Sequence, residues 1–290
     1  MAIDSNKFRI TDGKRFHLKD FSTLVSPFYS DNADYKKKLK KNTKALNQQQ
    51  SMLYASGKYS LLIIFQAMDA AGKDGAIKHV MSGVNPQGCR VQNFKQPSKL
   101  ELSHSFLWRS TLVLPQQGEI VMFNRSYYED VLVSRVHPEI LDVANLPDTK
   151  FNRSFWENRY KAIRDYEEHL YRSGTRIIKF FLYVSKEEQR LRLLDRINTP
   201  EKNWKLSLGD FEERKYWGEY MDAFEKAIQS TSTPSCPWYC IPADDKKNAR
   251  LIISSAILKT LSDMRLSYPE PTVSHANELE MLREKLDSSN

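Results

Sequence analysis

Short, nearly continuous apolar runs alternate along the chain with longer segments whose apolar residues recur at every third or fourth position. The runs are Leu61-Leu62-Ile63-Ile64-Phe65, Cys89-Arg90-Val91, Glu119-Ile120-Val121-Met122-Phe123, Ile177 to Val184 and Trp238-Tyr239-Cys240-Ile241, and they predict about five strands. The periodic segments Ala76 to Ser82, Leu100 to Leu112, Asn152 to Arg172, Lys186 to Arg196 and Asp210 to Gln229 predict amphipathic helices between them. Strands separated by helices call for right-handed crossovers. The expectation is an α/β fold, a three-layer sandwich with a parallel sheet of about five strands and helices on both faces.

Before the first run, Asp34 to Ser56 predicts a long helix, with Asp34 as a candidate cap and Gly57 as its stop. After Tyr268-Pro269-Glu270-Pro271 the sequence turns polar, and Asn277 to Leu286 predicts a short charged helix outside the core, in the segment expected to be least ordered. This divides the chain into an N-terminal extension (1–33), one domain (34–268) and a polar tail (269–290). The 290 residues are 40% hydrophobic, with 14 Phe, 14 Tyr and 5 Trp, enough to build a core and exclude general disorder. The net charge of +8 points to acidic partners. Neither a signal-like opening nor a bilayer-length apolar run is present, so a cytoplasmic protein without a membrane partner is expected. Three cysteines, Cys89, Cys236 and Cys240, carry no disulfide framework or zinc-ligand spacing and read as buried small apolar residues.

The first predicted strand runs into Gln66-Ala67-Met68-Asp69-Ala70-Ala71-Gly72-Lys73-Asp74-Gly75 and then into a helix. A strand, a small-residue turn and a helix N-terminus form the setting of a phosphate loop. There, backbone N–H groups of Ala70, Ala71, Gly72, Asp74 and Gly75 cradle an anion and Lys73 reaches the outer phosphates. Ala67 stands where the general pattern has its first Gly, and Asp74 where it has the Ser or Thr that holds magnesium. Asp69 inside an anion cradle repels phosphate. Three readings fit it: it holds a Mg²⁺ bridging to phosphate, it orients or deprotonates an attacking oxygen, or it caps the following helix.

The third strand ends in Asn124-Arg125-Ser126-Tyr127-Tyr128-Glu129. Ligands of doubly wound sheets bind beyond the carboxyl ends of strands, so Arg125 is expected to face the loop and steady a transferring phosphoryl group, unless Ser126 is a plain cap and Arg125 a surface residue. Arg192 and Arg196, four apart on one predicted helix face, are suited to a lid that closes over phosphates, around 186–215 with Lys205. The alternative is an ordinary solvated helix. The basic run Lys36 to Lys41 reads first as a solvated face, and the histidines and serines form no triad or metal spacing.

Taken together, these residues resemble the polyphosphate kinase 2 family. The resemblance runs from about Leu53 to Ile253 and rests on Phe65 to Gly75, Asn85-Pro86-Gln87-Gly88, Phe94-Lys95, Pro97-Ser98 and Leu107-Trp108-Arg109. It continues through Phe123-Asn124-Arg125-Ser126, Tyr128-Glu129, Arg135-Val136-His137, Trp204-Lys205 and Ile241 to Lys247. It implies a P-loop kinase-like fold similar to thymidylate kinase, Mg²⁺ dependence with Asp69 as metal ligand, and homo-oligomers, dimers or tetramers. It also implies that Lys73 handles phosphate, that Arg125 contacts the transferring group with Arg135 nearby, and that Arg192 and Arg196 belong to a helical lid. Many members carry Asp where this chain has Asn124. Asn124 with Glu129 resembles the subgroup that accepts both nucleoside mono- and diphosphates.

The reaction expected is therefore reversible phosphoryl transfer between inorganic polyphosphate and purine nucleotides (AMP/ADP, GMP/GDP), without a phosphoenzyme. An ATP-dependent nucleoside monophosphate kinase is the alternative. A nucleic-acid-binding protein with an inactive loop is disfavoured, because no nucleic-acid recognition motif is present.

Overall fold

The computed structural model describes residues 3–142, 146 and 150–288. Its centre is a six-stranded sheet: β1 (Arg9–Ile10), β2 (Ser60–Gln66), β3 (Cys89–Asn93), β4 (Ile120–Asn124), β5 (Thr175–Tyr183) and β6 (Trp238–Pro242), in the order β1-β6-β5-β2-β4-β3. The last five are parallel, as the apolar runs predicted, and β1 adds an antiparallel edge, Arg9 opposite Tyr239. Two residues carry no periodicity, which is why β1 could not be read from the sequence.

Side-chain alternation makes two cores. Leu62, Ile64, Val121, Phe123, Ile177, Phe181 and Trp238 point to one face, against the Arg153–Arg172 and Trp217–Thr231 helices. Leu61, Ile63, Phe65, Ile120, Met122, Ile178 and Phe180 point to the other, against Asn32–Ser56, Lys73–Val80 and Lys246–Asp263. The N-terminal segment is part of this packing: Ile10, Phe16 and Leu18 enter the first core and Phe8 the second.

Several helices differ from expectation. The first begins at Asn32, capped by Asp31, whose carboxylate accepts from the Asp34 N–H. Asp34 thus lies in the first turn, while Gly57 ends the helix at φ 56° as predicted. Leu100 to Leu112 splits into Lys99–Leu102 and Trp108–Thr111. The Leu100 carbonyl is taken by Ser103 Oγ (2.8 Å) and His104 Nδ1 (2.8 Å), side chains that compete with helix propagation. Asp210 to Gln229 becomes Leu208–Glu213, a 3₁₀ turn and Trp217–Thr231. The tail is helical from Val273 to Asp287, capped by Thr272, with every residue exposed.

Candidate functional site

β2 delivers the chain to the turn 67–72, and the Lys73–Val80 helix starts at Gly72, whose φ of 106° is open to glycine. Among the described residues, the backbone N–H groups of Gly72, Lys73, Asp74 and Gly75 donate to no protein acceptor. These are the orphan donors of a helix start, aimed with the helix dipole at one point, and they form an anion cradle. Opposite them, the loop carbonyls are held from behind. Gln189 Nε2 donates to Asp69 O (2.9 Å), and Arg192 Nη1 to Ala71 O (2.6 Å) and Ala70 O (3.3 Å). Arg192 also donates from Nη2 to Ala243 O (2.5 Å) and Asp244 O (3.0 Å), and pairs with Glu188.

Lys73 is buried. Its Nζ donates to Ala67 O (2.8 Å) and Met68 O (3.3 Å). Burial, aided by Arg125, lowers its pKa to about 8 against the pull of Asp69, Glu129 and Asp74. Burial pushes Asp69 the other way, but Lys73, Arg125 and Arg196 outweigh it and hold this carboxyl below its ordinary range. Asp69 does not cap the helix, whose N-cap is Gly72 without a side-chain bond. Its Oδ1 instead accepts from Arg125 Nη2 at 2.6 Å.

Arg125 follows β4 directly, with its N–H bonded to Phe65 O of β2 and a φ of 64°. Arg125 and Ala70 (φ 60°) are two of the three non-glycine residues in the left-handed region among those described, so backbone strain concentrates at the site. The Arg125 guanidinium is forked between Asp69 and Glu129 (Nη1–Oε2, 3.2 Å), and these two carboxylates, Glu129 foremost, raise its pKa. Ser126 caps the turn that follows, as the alternative reading expected, yet Arg125 is not a free surface residue. Asn124 Nδ2 donates to Asp74 Oδ1 (2.9 Å) and Asn93 Oδ1 (2.8 Å), which orients its amide and leaves Oδ1 buried without a partner.

In front of the loop lies a cleft of about 640 Å³. Its wall carries Lys73, Arg125, Arg192, Arg196, Lys202, Lys205, Lys246 and Arg250 against Asp69, Asp74, Asp195 and Asp210. All the residues predicted for phosphate contact line it except Arg135, and so does Asn124. The Arg135 guanidinium lies over the Trp156 ring (5.4 Å), and Glu129 lines a smaller cavity behind Arg125 with Glu213 and Tyr220. Arg196 and Lys205 line the loop cleft near Asp210 (3.7 Å) and Asp74 (3.4 Å), so Lys205 reaches the start of the loop helix. Sequence reasoning gave Gln189, Lys202, Lys246 and Arg250 no role. Lys246 lies within a stretch that carries the family resemblance, whereas Arg250 has no local signal and reaches the cleft only through helix packing.

Among the described residues, no three His, Cys, Asp or Glu side chains cluster to hold a metal alone. The donors suit a hard cation shared with substrate phosphates: one ionised carboxylate, Asp69, and a buried amide oxygen without a partner, Asn124 Oδ1.

Residues 29–269 match the family described as polyphosphate kinase 2. The chain is 52% identical over 287 residues, 99% of each chain, to an ADP-polyphosphate phosphotransferase of Rhodopseudomonas palustris. It is 42% identical over 266 residues, 91% of this chain and 96% of the relative, to an AMP/ADP-polyphosphate phosphotransferase of Meiothermus ruber. The structure is similar to the crystal structure of polyphosphate kinase 2 from Arthrobacter aurescens, with a TM-score of 0.87 and 37% identity over 98% of this chain and 99% of that one.

Proposed function

This chain belongs to the polyphosphate kinase 2 family, and from that premise we propose how its loop cleft transfers a phosphoryl group between inorganic polyphosphate and a nucleotide. The observation that carries the reading is the pairing of four unsatisfied loop N–H groups with a cleft whose wall holds twice as many basic as acidic side chains. A polyanion lies along Lys202, Lys205, Lys246 and Arg250 with its terminal phosphoryl group at the cradle, where Lys73 and Arg125 spread the charge that develops on it.

The attacking group is a nucleotide phosphate oxygen, already ionised near neutral pH, so no general base is needed. Asp69, held below the usual carboxylate range, is a poor base and a good cation holder. Mg²⁺ is the cofactor proposed: Asp69 would hold it, with Asn124 Oδ1 as a further oxygen donor, and it would neutralise phosphate oxygens during transfer. Reaction in line, without a phosphoenzyme, agrees with a cleft wall that, among the described residues, presents no serine, cysteine or histidine nucleophile.

Residues 199–213 serve as the lid, bringing Lys202, Lys205 and the exposed Trp204 over the bound chain and excluding water. The nucleotide enters from the Asn124–Glu129 side, and both mono- and diphosphates are accepted. The test is product analysis from AMP, ADP, GMP and GDP with polyphosphate as sole donor, beside the same acceptors with ATP. Turnover only with ATP would transfer the assignment to a nucleoside monophosphate kinase.

A further inference from the structure

At the other end of the sheet from the phosphate loop, a cavity of about 240 Å³ opens between the start of β5, the edge strand β1 and the Lys246–Asp263 helix. Leu182 of β5 lines the loop cleft and Arg176 lines this cavity. They are six positions apart along the strand, roughly 20 Å, so the two spaces are distinct.

Three cationic side chains from segments far apart in sequence, Arg9, Arg176 and Lys259, line the cavity against a single carboxylate, Asp263. Lys259 is paired with Asp263 (2.6 and 2.9 Å). Arg176 is fixed in place: its guanidinium lies over the rings of Tyr59 (4.8 Å) and Tyr171 (4.2 Å), and Nη1 donates to Tyr171 O (3.1 Å). No carboxylate pairs with it among the described residues. Arg9 Nη2 donates to Pro234 O (3.0 Å), but its Nε is buried and has no acceptor. A buried charged donor without an acceptor is rare in folded proteins, because desolvation is then uncompensated. An anion in the cavity that the Arg9 guanidinium lines offsets that cost through its charge, without reaching Nε itself. Two guanidinium groups on the wall of one cavity suit a tetrahedral oxyanion, which accepts several N–H bonds at once.

We infer that this cavity is a second anion site, for a small inorganic phosphate of the size of pyrophosphate, separate from the loop cleft. The inference stands on the cavity's own residues and does not rest on the reaction assigned to the loop. An anion there bridges the N-terminal strand, the sheet and the last core helix, and so stabilises the fold by mass action.

The experiment is calorimetric titration of the full-length chain with pyrophosphate, comparing wild type with Arg9→Gln/Lys259→Gln. Wild type is expected to show two classes of site. The double variant is expected to lose one, by at least about tenfold in affinity, while its polyphosphate-dependent turnover stays unchanged. Identical isotherms in a variant with a wild-type circular dichroism spectrum would overturn the inference. Wild-type crystals soaked in tungstate decide the matter without any variant: anomalous density beside Arg9 and Arg176 supports the site, and density confined to the loop cleft removes it. Displacement of pyrophosphate from the second site by ADP would assign it to a nucleotide's phosphate tail and overturn the assignment to free inorganic phosphate.

Discussion

At Lys73, burial bears directly on the affinity expected for phosphate. With its pKa lowered to about 8 in the free protein, it is charged below that pH and loses its proton above it. A phosphate placed at the loop favours the charged form and raises the pKa again. Polyphosphate affinity is therefore expected to be flat below about pH 8 and to fall about tenfold per pH unit above it, with proton uptake on binding. Titrations at fixed free Mg²⁺ in buffers of different ionisation heat measure both effects, and a pH-independent affinity through pH 9.5 would remove Lys73 from the phosphate. Asp69→Asn keeps the shape and removes the charge that pairs with Arg125. Turnover is expected to drop on the order of 10²- to 10³-fold with weakened Mg²⁺ dependence. Full activity with normal metal dependence would show that Asp69 only positions Arg125.

Among the secondary-structure elements, the Lys186–Asn198 helix has a role that its amphipathic pattern does not reveal. Arg192, predicted to contact phosphate from a lid, is almost fully buried in this structure and donates to four backbone carbonyls, two of them in the loop. With Gln189 it fixes the direction of three consecutive loop carbonyls, those of Asp69, Ala70 and Ala71, ahead of the free N–H groups that begin at Gly72. Arg192→Met, similar in bulk, is expected to fold and to lose up to about 10²-fold in kcat through misplacement of the cradle. Wild-type kcat in that variant would show that the loop holds its own shape.

A second buried device lies between β5 and the Arg153–Arg172 helix. Lys179 of β5 pairs with Glu167 at 2.5 Å, both fully buried, with Tyr127 Oη (2.9 Å) and Tyr128 Oη (2.8 Å) donating to Glu167. Breaking it with Glu167→Gln leaves a buried ammonium without a counter-charge and is expected to cost roughly 3–5 kcal/mol in urea unfolding. A loss under about 1 kcal/mol would mean that the Tyr hydroxyls and the Thr231 carbonyl satisfy Lys179 without the carboxylate.

Across the whole molecule, the basic wall of the cleft predicts different salt responses for the two substrates. A polyphosphate that engages Lys202, Lys205, Lys246 and Arg250 displaces counterions as nucleic acids do, so its KM should rise steeply with ionic strength. A nucleotide carries fewer charges, and its KM is expected to rise less. Equal slopes for both would mean that the wall does not follow an extended chain.

How much of this was legible in the sequence depends on the range of the interaction. The five parallel strands, the loop and the Asn32–Ser56 helix were readable to within about two residues, because alternation, helical period and glycine punctuation act between near neighbours. Asp69, Lys73 and Arg125 were singled out because a charged residue in a turn beyond a strand's carboxyl end is out of place unless it serves a ligand. The sequence by itself thus determined the layers, the loop and the family. Only the tertiary structure decided that Arg125 is forked between two carboxylates, that Arg192 holds the loop from behind, that Arg135 turns to Trp156, and that Arg250 reaches the cleft. The reason is physical: periodicity reports which face of an element is apolar, whereas the partner of a long, flexible cation is set by which carboxylate, carbonyl or ring the packed elements bring within a few ångströms of it.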